Sequence, residues 1–586
     1  MKKKLIILTI ITSLLIVGYF YVVRDYEKAE STVYINGNII TLENQQPTAQ
    51  AMLVEDGIIE AIGTNEEIAM LKPEQIKTVN LKGSTILPGF IDVHTHVALS
   101  TFLAEMVDLS GFKHKTAQEV WNYFEKAVKE AKPGEWIVCK GIDHILVEDL
   151  NSPTLAYLDK VAAKNPVVML SQSLHTYWAN SKAFEKVGIT AETKNPSKSS
   201  YYERDEKGRL TGLIVEQEAF APFIDQLKKD LITPKSLMNS TTKVLKDYTK
   251  NGNTTVVSAG ITVKDAKPLR LYEHLSTNNP SFLNKLLAKF GFLPDRIQYP
   301  RHFIYIRYDT PFLLPEKKDE ANDFYDIIGI KHWYDGSPYA GSMYINEPYI
   351  VSDFTQHELH LPEGHRGKSL IKPEDLKSFI KKYNAMGWQI AIHAQGDAAI
   401  EEILQAYTEV NKEQSVSGLR HRIEHCLLLP DSSINKMKTL NISPSFHINH
   451  LYYYGKALKH SVIGEERAEK ILQIGTTKNK QITYSLHADQ PMFESKAFRL
   501  IQTAVERQTK EGDTLGYNQR ITVLEGIKAM TINAAWQIHK ENKIGSLKKG
   551  KYADFLVLDK NPLEIPTKDL ENIKILKTYI NGNEAK

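Results

Sequence analysis

The stretch Pro88-Gly89-Phe90-Ile91-Asp92-Val93-His94-Thr95-His96 is a short apolar run that breaks into two histidines separated by one residue. Read as a β-strand it puts successive side chains on opposite faces, so His94 and His96 project from the same side. Two imidazoles side by side at a strand end are a ready pair of ligands for zinc or a similar borderline metal. Ordinary polar residues at a strand terminus look the same, so the rest of the chain has to decide.

The chain has 586 residues, too long for one simple domain, and its 42% hydrophobic content is enough for large buried cores. Basic and acidic side chains number 73 and 70, a formal net charge of +3, which gives no argument for nucleic acid. Two cysteines, Cys139 and Cys426, rule out a disulfide framework, and neither sits in a CxxC pattern. Met1-Lys2-Lys3-Lys4 followed by Leu5 to Val23 is a basic head and an apolar run of 19 residues. A run that long spans a bilayer or forms the core of a secretory signal. No small-x-small cleavage site follows it. The expectation is therefore an uncleaved anchor (residues 5–23 within a segment 1–25), basic end in the cytoplasm and the bulk of the chain exported.

From Ser31 to about Thr85 the pattern is short strands and turns. Val33 to Thr41 reads as a hairpin around Asn36-Gly37, and Met52 to Gly63 as another around Asp56-Gly57. The C-terminus repeats the style in Gly545–Asp559 and Lys577–Asn583. Neither end is long enough for its own sheet core, so 30–85 and 543–586 are expected to pair as one small β-sandwich. Residues 86–542 alternate helix and strand. Thr233-Pro234 starts a helix, Thr254 to Ser258 reads as a buried strand, Pro373 opens another helix, and Trp388 to His393 is the next strand. Such alternation predicts an α/β fold, a (β/α)8 TIM-type barrel with insertions, the latter expected at about 101–202 and 283–325.

Catalytic groups in such a barrel sit at the C-terminal strand ends. The candidates fall there in order: His94 and His96; Lys331, ending Ile327–Lys331 and followed by Tyr334-Asp335-Gly336-Ser337; His393; His425, ending Arg420–His425; and Asp489, ending Thr483–Asp489. Taken singly, each has an ordinary structural reading. The ordered set does not.

These motifs resemble the metal-dependent amidohydrolase superfamily, specifically its branch similar to N-substituted formamide deformylases. The resemblance rests on PGFIDVHTH, HTYWANSKAF from His175, GRLTGLIVE ending at Glu216, IKHWYDGS, IHAQGDAAI, RHRIEH, HADQP, TINAAW and GSLKKGKYADFLVLD. It implies a site of two divalent metal ions, zinc by expectation, with His94 and His96 on the first and His393 and His425 on the second. Lys331 would bridge them as a carbamate, because an ammonium has no lone pair to donate. Asp489 would bind metal, take the proton of the attacking water and pass it to the leaving amine. His175 is read as a substrate or oxyanion group, and Glu216 as a residue that approaches the metals or orients a ligand. His447 and His450, in the aromatic stretch Ser445–Tyr454, are expected to contact substrate. One departure concerns the last motif: relatives commonly carry Gly-Ser before the final Asp, where this chain has His487-Ala488.

The resulting expectation is an exported, membrane-tethered hydrolase of a small-molecule amide, N-substituted formamide or cyclic amide, with a homodimer left open. Two alternatives remain: a one-metal deaminase or ester hydrolase on the same scaffold, and a non-catalytic membrane-tethered binding protein.

Overall fold

Eight parallel strands form the central sheet: β1 Phe90–Thr95, β2 Asn253–Ile261, β3 Arg301–Arg307, β4 Tyr325–Trp333, β5 Gln389–Ala394, β6 Arg422–His425, β7 Ser443–Phe446 and β8 Ser485–Leu486. The computed structural model describes residues 12–13, 17–18, 30–71, 76–197, 200–261, 263, 265–277, 280–294, 299–316 and 322–585. Neighbours in the sheet are neighbours in the chain, the order that successive crossover units produce. The sheet curls into a nearly closed barrel. Strands β1 and β8 lie against each other, and the His96 N–H donates to the Gln490 carbonyl (2.8 Å) between the loops that follow them.

Local chemistry sets these elements. Thr233 caps helix Pro234–Lys250 in a capping box with Ser236, and proline occupies the first turn, where its missing N–H costs nothing. Gly252 then takes φ +80°, and a Cβ there would meet Leu556, Ile575 and Phe90, so a glycine hands the chain to β2. Strand β2 is buried along its whole length, as a strand covered on both faces must be. Outside the barrel, Ile330, Ile390, Ile392 and Ile423 pack against Leu376, Ile380, Ile403 and Leu404 of the surrounding helices. Each such side chain contributes about 1.5–3 kcal/mol of burial.

Three expectations need correction. The stretch 283–325 is not an insertion, because it contains β3. That strand begins and ends in arginine, which masked it; Arg301 is fully buried because Asp554 and two aromatic rings receive it. Strand β4 continues past Lys331 to Trp333, so the lysine stands inside the strand. Val33–Thr41 is not a hairpin. Thr32–Ile35 pairs with Ala51–Glu55 and Lys77–Asn80, while Asn38–Ile40 pairs with Thr48–Ala49 and Thr85–Pro88 of another sheet. Asn36 at φ 58° turns the chain from one sheet to the other. The Met52–Gly63 reading holds, as Ala51–Glu55 and Ile58–Gly63 pair antiparallel through Asp56 and Gly57, both at positive φ.

The two ends of the chain meet. Thr85–Pro88 pairs with Phe555–Leu558, and side chains of both end sheets, Tyr34, Met52, Ile86, Phe555 and Tyr579 among them, share one core. Between β1 and β2 a six-stranded sheet runs from Val107–Asp108 to Leu210–Val215. Gln172 Nε2 ties it to the Met492 carbonyl and Asp143 ties it to the Tyr454 hydroxyl, so it rests on the loops after β8 and β7. Of the apolar segment 5–23, only residues 12–13 and 17–18 lie among the described ones. Among the described residues no helix is long and apolar enough to cross a membrane.

Candidate metal centre

Sheet register brings the predicted ligands to one level. His393 pairs with Trp333, His425 with Ala394 on one side and Phe446 on the other, and Phe446 with Leu486. His94, at the end of β1, lies with its ring centroid 4.7 Å from that of His425, and His393 lies 4.3 Å from His425 on the other side. Asp489, three residues past β8, holds a left-handed φ of 59° and turns its carboxylate to His96 Nε2 (3.0 Å) and His94 Nε2 (3.4 Å). Two residue sets can hold an ion here, His94–His96–Asp489 and His425–His447–Asp489, and a third set joins His94 and His425 to His487.

Lys331 projects into the same buried space. Gly260, at φ +92°, leaves it room: a Cβ there would lie 2.6 Å from the Trp333 ring and 2.9 Å from the Lys331 side chain. The Lys331 ammonium lies 5.1 Å from the Trp333 ring centroid. Burial pushes its pKa down to about 8 against the opposing pull of Glu424 and Asp489.

The same burial holds the imidazoles neutral, which is the form that ligates metal. It lowers His94 and His425 well below the usual range, with the Lys331 charge adding to the effect, and lowers His393 to about 3. Burial works against the Asp489 carboxylate too, but His96, His447 and Lys331 outweigh it and keep the group ionised, well below the usual carboxylate range.

The chemistry of the donor set fits a metal. Among the described residues, Lys331 Nζ, His393 Nε2, both ring nitrogens of His447, Glu424 Oε1 and Asp489 Oδ1 are buried with no hydrogen-bond partner. Buried polar atoms are almost always paired, so a cluster of orphans at one point calls for a shared ligand. The 3.0 Å approach of His96 to Asp489 lacks hydrogen-bond alignment, the relation expected of two groups that converge on a common centre.

Sequence reasoning missed Glu424 and passed over Asp335. Glu424 Oε2 accepts from His94 Nδ1 at 2.6 Å and from Arg422 at 2.8 Å, all fully buried. A carboxylate on Nδ1 leaves the Nε2 lone pair of His94 free to ligate. The available signal was a charged Arg-x-Glu pair in a buried strand, where both residues share one face. Asp335 accepts from the backbone N–H groups of Gln395, Gly396 and Tyr344, and lies 3.6 Å from His393 Nε2. Burial raises its pKa to about 7 despite those donors.

The remaining predicted residues divide. His447 sits within the cluster, its Nδ1 3.9 Å from Asp489. His450 lies beside it, held by the Tyr339 hydroxyl (2.8 Å) and Gln395 (3.1 Å). His175 and Glu216 are brought together, Nδ1 to Oε2 at 3.0 Å, on the inserted sheet. Among the described residues neither shares a hydrogen bond or ring contact with the imidazole cluster.

The model of the amidohydrolase family matches residues 77–585. The chain is similar to an N-substituted formamide deformylase of Arthrobacter pascens, 26% identical over 94% of this chain and 97% of that one. It is equally identical, at 26%, to the protein LONG AFTER FAR-RED 3 of Arabidopsis thaliana, over 94% of this chain and 90% of the relative. Its fold matches the crystal structure of an uncharacterized metal-dependent hydrolase from Pyrococcus horikoshii, with TM-score 0.68, 21% identity, and coverage of 92% of this chain and 99% of that one. The chain belongs to the amidohydrolase family and is a hydrolase of carbon–nitrogen bonds, as its motifs implied.

Proposed function

We propose that this amidohydrolase cleaves a non-peptide carbon–nitrogen bond in a small molecule, an amide, an N-substituted formamide or a cyclic amide, with two divalent metal ions, zinc by preference. The observation that carries the reading is the convergence of His94, His96, His393, His425, Lys331 and Asp489 in one buried space where several donor atoms lack partners. The similarity to a formamide deformylase supports the substrate class.

In this reading His94 and His96 would hold one ion and His393 and His425 the other, with Lys331, as a carbamate, supplying an anionic oxygen donor. Such ions lower the pKa of a water towards ~7 and polarise the scissile carbonyl. The residues of the chain do the rest. Lys331, brought to about 8 by burial, has a substantial neutral fraction at physiological pH, the form an amine needs to take up carbon dioxide. Asp489 stays ionised beside the imidazoles, accepts the proton of the attacking water and delivers it to the departing nitrogen. Glu424 holds the His94 ring, while Asp335 pins the loop after β5 through Gln395 and Gly396. His447 and His450 face the substrate, and His175, oriented by Glu216, serves as a further polar contact from the inserted sheet.

The wider organisation follows the same reading: end sheets 30–85 and 543–586 as a composite β-sandwich, a barrel body 86–542, and residues 5–23 as an anchor that leaves the enzyme on the exported side of the membrane.

The test is metal content of the full chain as purified beside Lys331→Ala, followed by hydrolysis of an amide and formamide panel. About two ions per chain, falling to one or fewer in the variant, with turnover in the wild type, is the expected result. One ion in both proteins would favour the one-metal form built on His94, His96 and Asp489. No metal and no turnover would leave the binding-protein reading ahead.

A further inference from the structure

The helix Phe282–Lys289, on the crossover between β2 and β3, is mounted inside out. At 3.6 residues per turn Phe282, Leu283, Leu286, Leu287 and Phe290 fall on one side, and Asn284, Lys285 and Ala288 on the other. A surface helix ordinarily turns its apolar stripe to the core. Here Asn284 and Lys285 are 8% exposed, whereas Phe282, Leu283 and Phe290 are 47%, 58% and 71% exposed. Phe292, just past the helix, adds a further large apolar side chain at 70%. The segment is nevertheless fixed to the body. Ser281 caps the helix by accepting from the Asn284 N–H, and the Phe292 N–H closes its end on the Leu287 carbonyl at 2.8 Å. His274 lies 3.1 Å from the Pro294 carbonyl, and Leu293 packs against the cluster that holds Leu269, Tyr272 and Tyr299. An apolar face held out from a fixed helix calls for a cover.

The chain itself indicates what that cover is. The apolar run Leu5 to Val23 precedes the body, and residues 24–29 alone separate it from Glu30, next to the end-sheet strand Thr32–Ile35. Six residues span about 20 Å at full extension, so a run seated in a bilayer keeps the end sheets at the lipid surface. The crossover that carries the helix returns to this same end of the barrel, where Arg301 at the start of β3 meets Asp554, the residue before the end-sheet strand Phe555–Leu558. Between Ser281 and Pro294 the only charged residues are Lys285 and Lys289, the sign that anionic headgroups attract. Phenylalanine and leucine on the outer side with lysine behind them is the composition of a helix that lies in a bilayer interface.

We propose that Phe282, Leu283, Phe290 and Phe292 form a docking surface for the lipid bilayer that holds the chain's own anchor. The helix lies along the interface with these side chains about 5–10 Å into the boundary between headgroups and acyl chains. The barrel is then held at two places, the run 5–23 and this face, and does not swing on its tether. This assignment rests on reading residues 5–23 as an anchor.

The test places an environment-sensitive thiol label on the full chain in vesicles of phosphatidylcholine and phosphatidylglycerol, with and without lipids spin-labelled high on the acyl chain. Cys139 and Cys426 are buried, so the label goes to an introduced cysteine, Phe290→Cys or, as the reference, Leu370→Cys. Leu370 is also exposed and apolar, but it lies beyond the C-terminal end of β4, its N–H on the Tyr334 carbonyl. The label at Phe290→Cys should shift to the blue on vesicles and lose several-fold more fluorescence to the spin-labelled lipid than the label at Leu370→Cys. Should Phe290→Cys fail to fold, Phe292→Cys replaces it with the same expectation. No quenching at either phenylalanine position, or equal quenching at Leu370→Cys, would overturn the proposal. So would a blue shift already present in detergent with the chain sedimenting as a dimer and the lipid leaving it unquenched, because a second copy then covers the face. A carbonate wash of the same vesicles tests the anchor separately. Chain that resists the wash while its Phe290→Cys label stays unquenched keeps the anchor and loses the docking face. Chain that is extracted by the wash, yet was quenched at Phe290→Cys before it, keeps the docking face and loses the anchor.

Discussion

At the N-terminal ends of the barrel strands Arg301 is fully buried. Its guanidinium is bidentate on Asp554 (2.7 and 3.0 Å), donates to the Asp323 carbonyl (2.9 Å), and lies between the rings of Phe324 and Tyr552 at 4.0 and 4.2 Å. At the C-terminal ends Lys331 is just as buried and has no hydrogen-bond partner among the described residues. Both are cations in a barrel core, yet one end satisfies its charge completely and the other leaves donors and acceptors open. Residues at the first end hold the barrel to the end sheets. Those at the second end are arranged for something not made of protein. The difference separates stability from chemistry within one set of strands.

Four substitutions would break or sharpen that contrast. Asp489→Asn removes the proposed proton acceptor from the open end, so kcat/KM on the best amide substrate should fall by about 10³-fold or more, with the melting temperature of the metal-free protein unchanged. A fall of less than tenfold would remove Asp489 from its assigned role. Arg301→Ala attacks the satisfied end and strands Asp554; stability should drop by about 3–5 kcal/mol in denaturant titration, with kcat/KM of the folded fraction within about twofold of wild type. If activity falls as steeply as stability, the two ends are not separable. Glu424→Gln keeps the shape but weakens the hold on His94, and zinc affinity should decline about 10–100-fold. Unaltered affinity would make Glu424 part of the barrel packing only.

The smallest effect concerns acid. His421, just before β6, accepts from the Ile390 N–H at 3.0 Å and reaches Asn384 at 2.9 Å, and burial lowers its pKa to about 3. Between pH 6.5 and 3 the unfolded chain binds a proton there that the folded chain refuses. Stability is thus complete above pH 6.5 and is lost as pH falls below it, by about 2 kcal/mol at pH 5. Denaturation midpoints measured from pH 7 to pH 5 should show this slope in the wild type and a shallower one in His421→Gln. Parallel slopes would mean that His421 is not held neutral.

Much of the barrel was legible from periodicity and punctuation. The helices opened by Thr233-Pro234 and Pro373, and the strands carrying His94, His393 and His425, lie where alternation and caps put them. Strand β3 was not, because an arginine at its start makes sense only once Asp554, 253 residues away, is seen beside it. The Asn36-Gly37 turn was recognised as a turn but misread as a hairpin, since turn chemistry is local and choice of sheet is not.

The candidate site divides along the same line. Residue types at successive strand ends can be read in order along the chain, because the barrel repeats one local pattern and delivers each strand end to one rim. His94, His96, Lys331, His393, His425 and Asp489 were all visible in that way. The supporting contacts were decided only by the tertiary structure: Glu424 on His94, Asp335 under the loop after β5, and Gly260 making room for Lys331. Each joins residues that adjacent strands or distant loops bring within about 3 Å, and hydrogen-bond direction depends on every partner at once. A linear sequence specifies which groups arrive at the rim; their protonation, tautomer and unmet valences exist only after the strands have closed around them.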